Sequence, residues 1–195
     1  MDFNIGFIVT NIMLGVGLAM DAFSVSLANG LNEPCMKKRK MFGIAGIFAF
    51  FQALMPMIGW ICIHTIVEHF KFFETLIPWI ALILLGFIGG KMLVEGIKNK
   101  NDDPCDSPGI GLGGLIIQGV ATSIDALSVG FTIASYNLIS AVTASLIIAA
   151  VTLAICLCGV SIGRKAGTAL SGKAGIFGGL ILIGIGIEIF VSSFM

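Results

Sequence analysis

The sequence predicts an all-α integral membrane protein, built as six transmembrane helices in two inverted three-helix repeats. Three observations carry that prediction. Hydrophobic residues make up 57% of the 195-residue chain and charged residues 11%, against roughly 25% charged in a soluble domain. Six apolar stretches of spanning length occupy nearly all of it, and a short phrase in the first stretch returns in the fourth.

An apolar helix needs about 20 residues to cross the hydrocarbon core. The stretches cover residues 5–30, 41–64, 76–97, 110–134, 138–162 and 174–194. Between them lie the basic turn Lys37-Lys38-Arg39-Lys40, the segment 65–75, an acidic loop over 98–109, a tight turn at Tyr136-Asn137 and a basic stretch from Arg164 to Lys173. None is long enough to fold into a soluble catalytic domain, so the chain is read as a non-enzyme. Gly109, Gly111 and Gly114 imitate a nucleotide-binding loop, and Gly167 to Lys173 imitate another. Neither follows a strand, and the second continues into Ala174 where magnesium would need Ser or Thr.

Positive charge sets the orientation, because short loops rich in Lys and Arg stay in the cytoplasm. Loops one, three and five hold four, two and three such residues, while loops two and four hold one and none. Both termini are therefore expected outside. The first stretch lacks a positive leader, and its basic block follows the apolar run, so it is expected to remain in the mature chain. Net charge is zero, which leaves no basic surface for nucleic acid. Cys35 and Cys105 fall in cytoplasmic loops where thiols are expected to be reduced. Many of the 26 glycines lie inside apolar runs, where small residues let membrane helices approach closely.

The repeated phrase is Met20-Asp21-Ala22-Phe23-Ser24-Val25 and Ile124-Asp125-Ala126-Leu127-Ser128-Val129. Three spans separate the copies, so the second enters the membrane from the opposite face, as in the inverted repeats of secondary transporters. The division is residues 1–97 for the first repeat, 98–109 for the loop and 110–195 for the second. Asp21 and Asp125 each lie just past the centre of their spans, which brings both carboxylates near the midplane.

A charged side chain at the bilayer centre costs roughly 2.5–3.5 kcal/mol on insertion scales. Neither aspartate has a basic partner at its depth, since Lys91 is placed to pair with Glu95 at i,i+4. Two carboxylates sharing a low-dielectric site need protons or a cation, and a divalent ion satisfies both at once. The plain alternative is a pair of protonated aspartates bonding helices together.

Gln118, Thr122, Asp125, Ser128 and Thr132 recur at helical spacing and predict a polar stripe along span four. Ser24 lies one turn beyond Asp21, and Asn11 farther out on a similar face. Pro56 is expected to open span two at the Gln52 carbonyl, adding oxygen to a site whose donors suit magnesium, calcium or manganese. Glu188 in span six is a candidate for the exit route or a proton path. His64, Glu68, His69 and Glu74 read as interfacial, and Asp102, Asp103 and Asp106 as solvated.

Leu18 to Ser26 and Ala121 to Gly130, together with Pro56 to Trp60, Gly89 to Gly96 and the run Gly178 to Glu188, resemble the bacterial manganese efflux pump family of MntP type. The resemblance covers essentially the whole chain. It implies a six-span inner-membrane exporter of Mn(II), with Asp21 and Asp125 central and a fold similar to LysE-type exporters. Some relatives carry Glu or His where this chain has Gln52, a neutral amide. Mn(II) is then cargo rather than cofactor. The expected mechanism is Mn(II)/proton antiport, with Ser24, Thr122, Ser128, Glu95 and Glu188 along the path or in proton coupling. The lipid bilayer is the expected surrounding, and self-association is left open. Export of another divalent cation or small solute, or a non-transporting membrane scaffold, are the competing readings.

Overall fold

The structure, a computed structural model, describes residues 5–65, 79, 82–83, 85–94, 97, 110–133, 135–170 and 174–192. These are all helix and connecting turn. The helices are α1 (Ile5–Asn32), α2 (Lys38–Thr65), α3 (Leu85–Val94), α4 (Leu112–Ala121), α5 (Ile124–Thr132), α6 (Leu138–Leu170) and α7 (Ala174–Ser192).

Among the described residues, α1, α2 and α6 are long and apolar enough to cross a membrane. The pair α4 and α5 makes a fourth candidate if its bend of 44° is taken within one span. The expected turn at Tyr136-Asn137 is present, and its Asn137 Oδ1 accepts the Ser140 N–H at 2.8 Å, so the turn residue caps α6. Helix α7 covers 174–192 of the sixth stretch, whose last two residues lie outside the described residues. The third is represented by α3 and isolated helical residues, and the acidic loop 98–109 lies outside the described residues.

Three expectations are corrected. Helix α6 does not stop at 162 but carries Arg164 and Lys165 on its own last turns, because nothing between them and Leu170 breaks a helix. Pro56 does not open α2, which is helical on both sides of it. Cys35 is disulfide-bonded rather than a reduced thiol.

The core depends on backbone approach more than on large side chains. Gly159, Gly163 and Gly167 recur every fourth residue along α6 and receive α1: a Cβ on Gly159 would stand 2.8 Å from the Phe23 carbonyl oxygen. Across the bundle, Gly59 of α2 meets Leu127 and Gly130 of α5, and a Cβ on Gly130 would stand 2.7 Å from the Gly59 Cα. Phe23 and Leu127 are two residues beyond the two aspartates, and Ser26 and Gly130 five beyond. The corresponding turn of each copy thus rests on a glycine of a neighbouring long helix. Gly89 of α3 and Gly179 of α7 also meet, each beside the other's carbonyl oxygen at 2.7 and 2.6 Å from the added Cβ position. Small residues are the means by which membrane helices gain contact where lipid is as apolar as leucine.

The outward faces carry Ile8, Val9, Met13, Phe50, Leu54, Phe87 and Leu146, all exposed, as a surface solvated by acyl chains requires. At one end Trp60 Nε1 donates to the Tyr136 carbonyl at 3.1 Å, and the Phe7 and Tyr136 rings lie 5.5 Å apart. At the other end stand Lys37–Lys40, Arg164 and Lys165. Aromatic anchors and basic residues at helix ends are both features of membrane interfaces.

If α2 and α5 touch as described, Gly130→Ala should cost about 1–3 kcal/mol through overpacking. Gly43→Ala, whose added Cβ meets nothing within 4 Å, should be neutral or stabilising by up to about 1 kcal/mol. Thermal unfolding of the two variants in detergent checks this, and equal midpoints would contradict the contact.

Candidate functional site

The polar stripe expected along span four is cut in two by the helix break. Helix α4 closes at Thr122, whose N–H donates to the Gln118 carbonyl at 3.0 Å, and Ser123 N–H follows to Val120 at 3.2 Å. The hydroxyls complete the pattern. Thr122 Oγ1 donates to the Gln118 carbonyl at 2.9 Å, and Ser123 Oγ donates to Gly119 at 2.7 Å. Carbonyls that a continuous helix would have bonded to residues 123 and beyond are thereby satisfied in place, which is the condition for irregular backbone at membrane depth.

Asp125 falls in the first turn of α5 as a direct result. Its Oδ1 accepts the Ala126 N–H at 2.9 Å, one of the donors that a helix start leaves without an intrahelical acceptor. Gln118 and Thr122 are buried, whereas Asp125, Ser128 and Thr132 are exposed. Thr132 Oγ1 donates to the Val129 carbonyl of its own helix at 2.8 Å.

Asp21 lies in unbroken α1 and is half-buried. An electrostatic interaction links it to Asp125. Ser24 Oγ donates to the Met20 carbonyl at 3.1 Å, leaving its lone pairs available. Gln52 is fully buried, and its Nε2 donates to the Leu18 carbonyl of α1 at 2.7 Å. Among the described residues its Oε1 has no hydrogen-bond partner. The Gln52 amide thus ties α2 to the turn of α1 that precedes Asp21. Glu95 lies outside the described residues. Glu188 lies on α7, with its side chain outside the described set.

No cluster of three or more His, Cys, Asp or Glu groups suited to a metal occurs among the described residues. The available donors are two carboxylates supplemented by amide and hydroxyl oxygens, a hard set that fits a cation such as Mn(II) and lacks the sulfur or imidazole of a zinc or copper cage.

One contact was missed at the level of sequence. Asn29 Nδ2 donates to Gln118 Oε1 at 2.9 Å, tying α1 to α4 inside the bundle. Both residues are buried. The signal available was Asn29 itself, an amide between Ala28 and Gly30 in an otherwise apolar run.

These features define an integral membrane protein that carries an acid of a repeated phrase on each of two apolar helices. The family model described as "Putative manganese efflux pump" matches residues 35–190. The chain belongs to that family, the MntP manganese efflux pumps, which are transporters rather than enzymes. It is 39% identical over 193 residues to a relative in Clostridium botulinum (strain Loch Maree / Type A3), covering 94% of each chain. It is 40% identical over 180 residues to one in Ruminiclostridium cellulolyticum, covering 92% of this chain and 93% of the relative. A third, in Clostridium perfringens (strain SM101 / Type A), is 38% identical over 202 residues with 93% of each covered. All three relatives bear the family's description and the name MntP. No solved structure matches the chain.

Truncating Asn29 to alanine strands the Gln118 oxygen and should cost about 1–3 kcal/mol. Combining it with Gln118→Ala should cost less than the sum of the single changes, by about 0.5–3 kcal/mol. Denaturant unfolding of the four proteins measures this coupling, and strict additivity would show that the two amides do not meet.

Proposed function

We propose that this chain exports Mn(II) across the bacterial cell membrane by exchange for protons, through a six-span bundle of two inverted halves with both termini outside. The observation that carries this reading is the approach of Asp21 to Asp125. Two carboxylates cancel the charge of one dication, and the buried amide of Gln52, bonded to Leu18 one turn before Asp21, is the proposed neutral oxygen donor. The reciprocal seating of Phe23 and Ser26 on Gly159, and of Leu127 and Gly130 on Gly59, supports the two-half architecture. Membership of the manganese efflux pump family supports the choice of ion.

A carboxylate does not face hydrocarbon without a large penalty, so the exposed Asp125 and Ser128 are taken to border a water-filled vestibule. Toward the loop-one end, Asn29 stands eight residues beyond Asp21, about 12 Å along α1, and its bond to Gln118 is the proposed inner gate. Opening that contact while covering the vestibule would give alternating access.

Moving a dication out against an inside-negative potential costs about 4.6 kcal/mol per 100 mV, at about 2.3 per charge. Two protons returning by the same carboxylates cancel that cost. Ser24, Thr122 and Ser128 fall to the path, and Glu95 and Glu188 to proton coupling.

Inside-out membrane vesicles containing the protein should accumulate Mn(II) when a proton gradient is imposed, and little without one. Asp21→Asn and Asp125→Asn should reach the membrane in normal amounts yet take up no more Mn(II) than vesicles lacking the protein. Full uptake by both variants would defeat the proposal. Preferential uptake of cadmium or calcium over manganese would keep the site but reject the ion.

A further inference from the structure

A second feature of the molecule has no part in this route. Where the turn between α1 and α2 lies against the last turns of α6, a groove of about 540 Å³ opens to the surface. Its apolar wall comes from Met41, Phe42 and Leu157, and its rim from Lys38, Arg164 and Lys165. Arg164 is half-buried and held in place: its Nε donates to the Pro34 carbonyl at 3.0 Å and its Nη1 to Met41 Sδ at 2.9 Å. Neither acceptor carries a charge. Among the described residues the one ion pair joins Lys40 to Glu33, and no described carboxylate lines the groove. The hydroxyls nearby are already engaged, Ser161 Oγ with the Leu157 carbonyl and Thr168 Oγ1 with that of Lys165.

A partly desolvated guanidinium without a counter-ion attracts an anion, and two neighbouring ammonium groups strengthen the field. The apolar wall narrows the choice. Phe42 is 59% exposed, and a soluble phosphate would leave it uncovered. The position is where the apolar run of α6 gives way to Arg164-Lys165, the depth at which headgroups begin. We propose that this groove binds an anionic phospholipid, its phosphate held by Arg164, Lys38 and Lys165 and an acyl chain laid over Phe42 and Leu157. Basic pockets between helices on this kind of membrane face are built for such headgroups. Because Arg164 also holds the turn between α1 and α2 against α6, a bound lipid would brace that joint.

The test uses the full chain purified in detergent, with lipids of matched acyl chains. Native mass spectrometry and thermal unfolding should show phosphatidylglycerol retained and stabilising, with phosphatidylcholine and inorganic phosphate doing neither. Lys38→Gln and Lys165→Gln should each weaken phosphatidylglycerol binding about fivefold, and the double variant about 25-fold. Phe42→Ala should weaken it while leaving the preference for the anionic headgroup. Lys91→Gln, remote from the groove, should bind as the parent does. Equal retention of phosphatidylcholine, undiminished binding by the double lysine variant, or binding of inorganic phosphate with no lipid preference would each overturn the proposal. None of these readouts depends on manganese transport.

Discussion

Two acids held within reach of one another among apolar helices form the constraint to which the rest of this structure answers. Neither Asp21 nor Asp125 gains anything from burial alone, since a low-dielectric surrounding magnifies their repulsion. The fold offsets part of this at Asp125 with an N–H donor at a helix start. Asp125 is given the Ala126 N–H at the start of a half-helix. Gln52 is anchored to Leu18, one turn ahead of Asp21, with an oxygen to spare.

The two copies of the repeated phrase solve the same problem differently. Leu18-Ala19 precedes Met20-Asp21, whereas Thr122-Ser123 precedes Ile124-Asp125. Leucine and alanine have nothing with which to bond a released carbonyl, so α1 remains a continuous helix, and its turn before the aspartate receives an amide from another helix. Threonine and serine bond the carbonyls of residues 118–120 themselves, and the helix can break. One aspartate therefore sits on a stiff rod and the other at a bend of 44°. For the proposed exchange, a bend beside one aspartate and a continuous helix under the other would let the bundle move while the pair stays together.

Much of this was legible in sequence because it rests on periodicity and cost. Span lengths follow from bilayer thickness, and the aspartates stood out because a charge in such a stretch is expensive. The break was not legible, since Thr-Ser is equally at home bonding its own backbone within an intact helix. Pro56 gave the opposite error. A proline removes one N–H, but α2 runs past it, packed nearby against the glycine-lined surface of α5, and packing outweighs one lost bond. The Asn29–Gln118 contact escaped because it joins residues 89 apart, and spacing along one helix carries no information about its partner. The continuation of α6 past 162 shows the same limit. Charge marks where a helix leaves the membrane, not where it ends.

The poverty of the donor set is itself informative. Divalent manganese binds more weakly to a given set of ligands than iron, nickel, copper or zinc, so a site rich in sulfur or imidazole would be occupied by its competitors. Two carboxylates with amide and hydroxyl oxygens give little of that advantage away. They also bind without excess. A transported ion must be held firmly enough to enter and loosely enough to leave, and every additional anionic ligand would deepen the well from which it has to escape. Gln52 fits the proposed site: an amide bonded to the α1 backbone would add an oxygen without adding a charge, leaving the two aspartates to neutralise the dication. Placing a third carboxylate there would change the charge balance of the site as well as its affinity, and with it the number of protons needed to empty it.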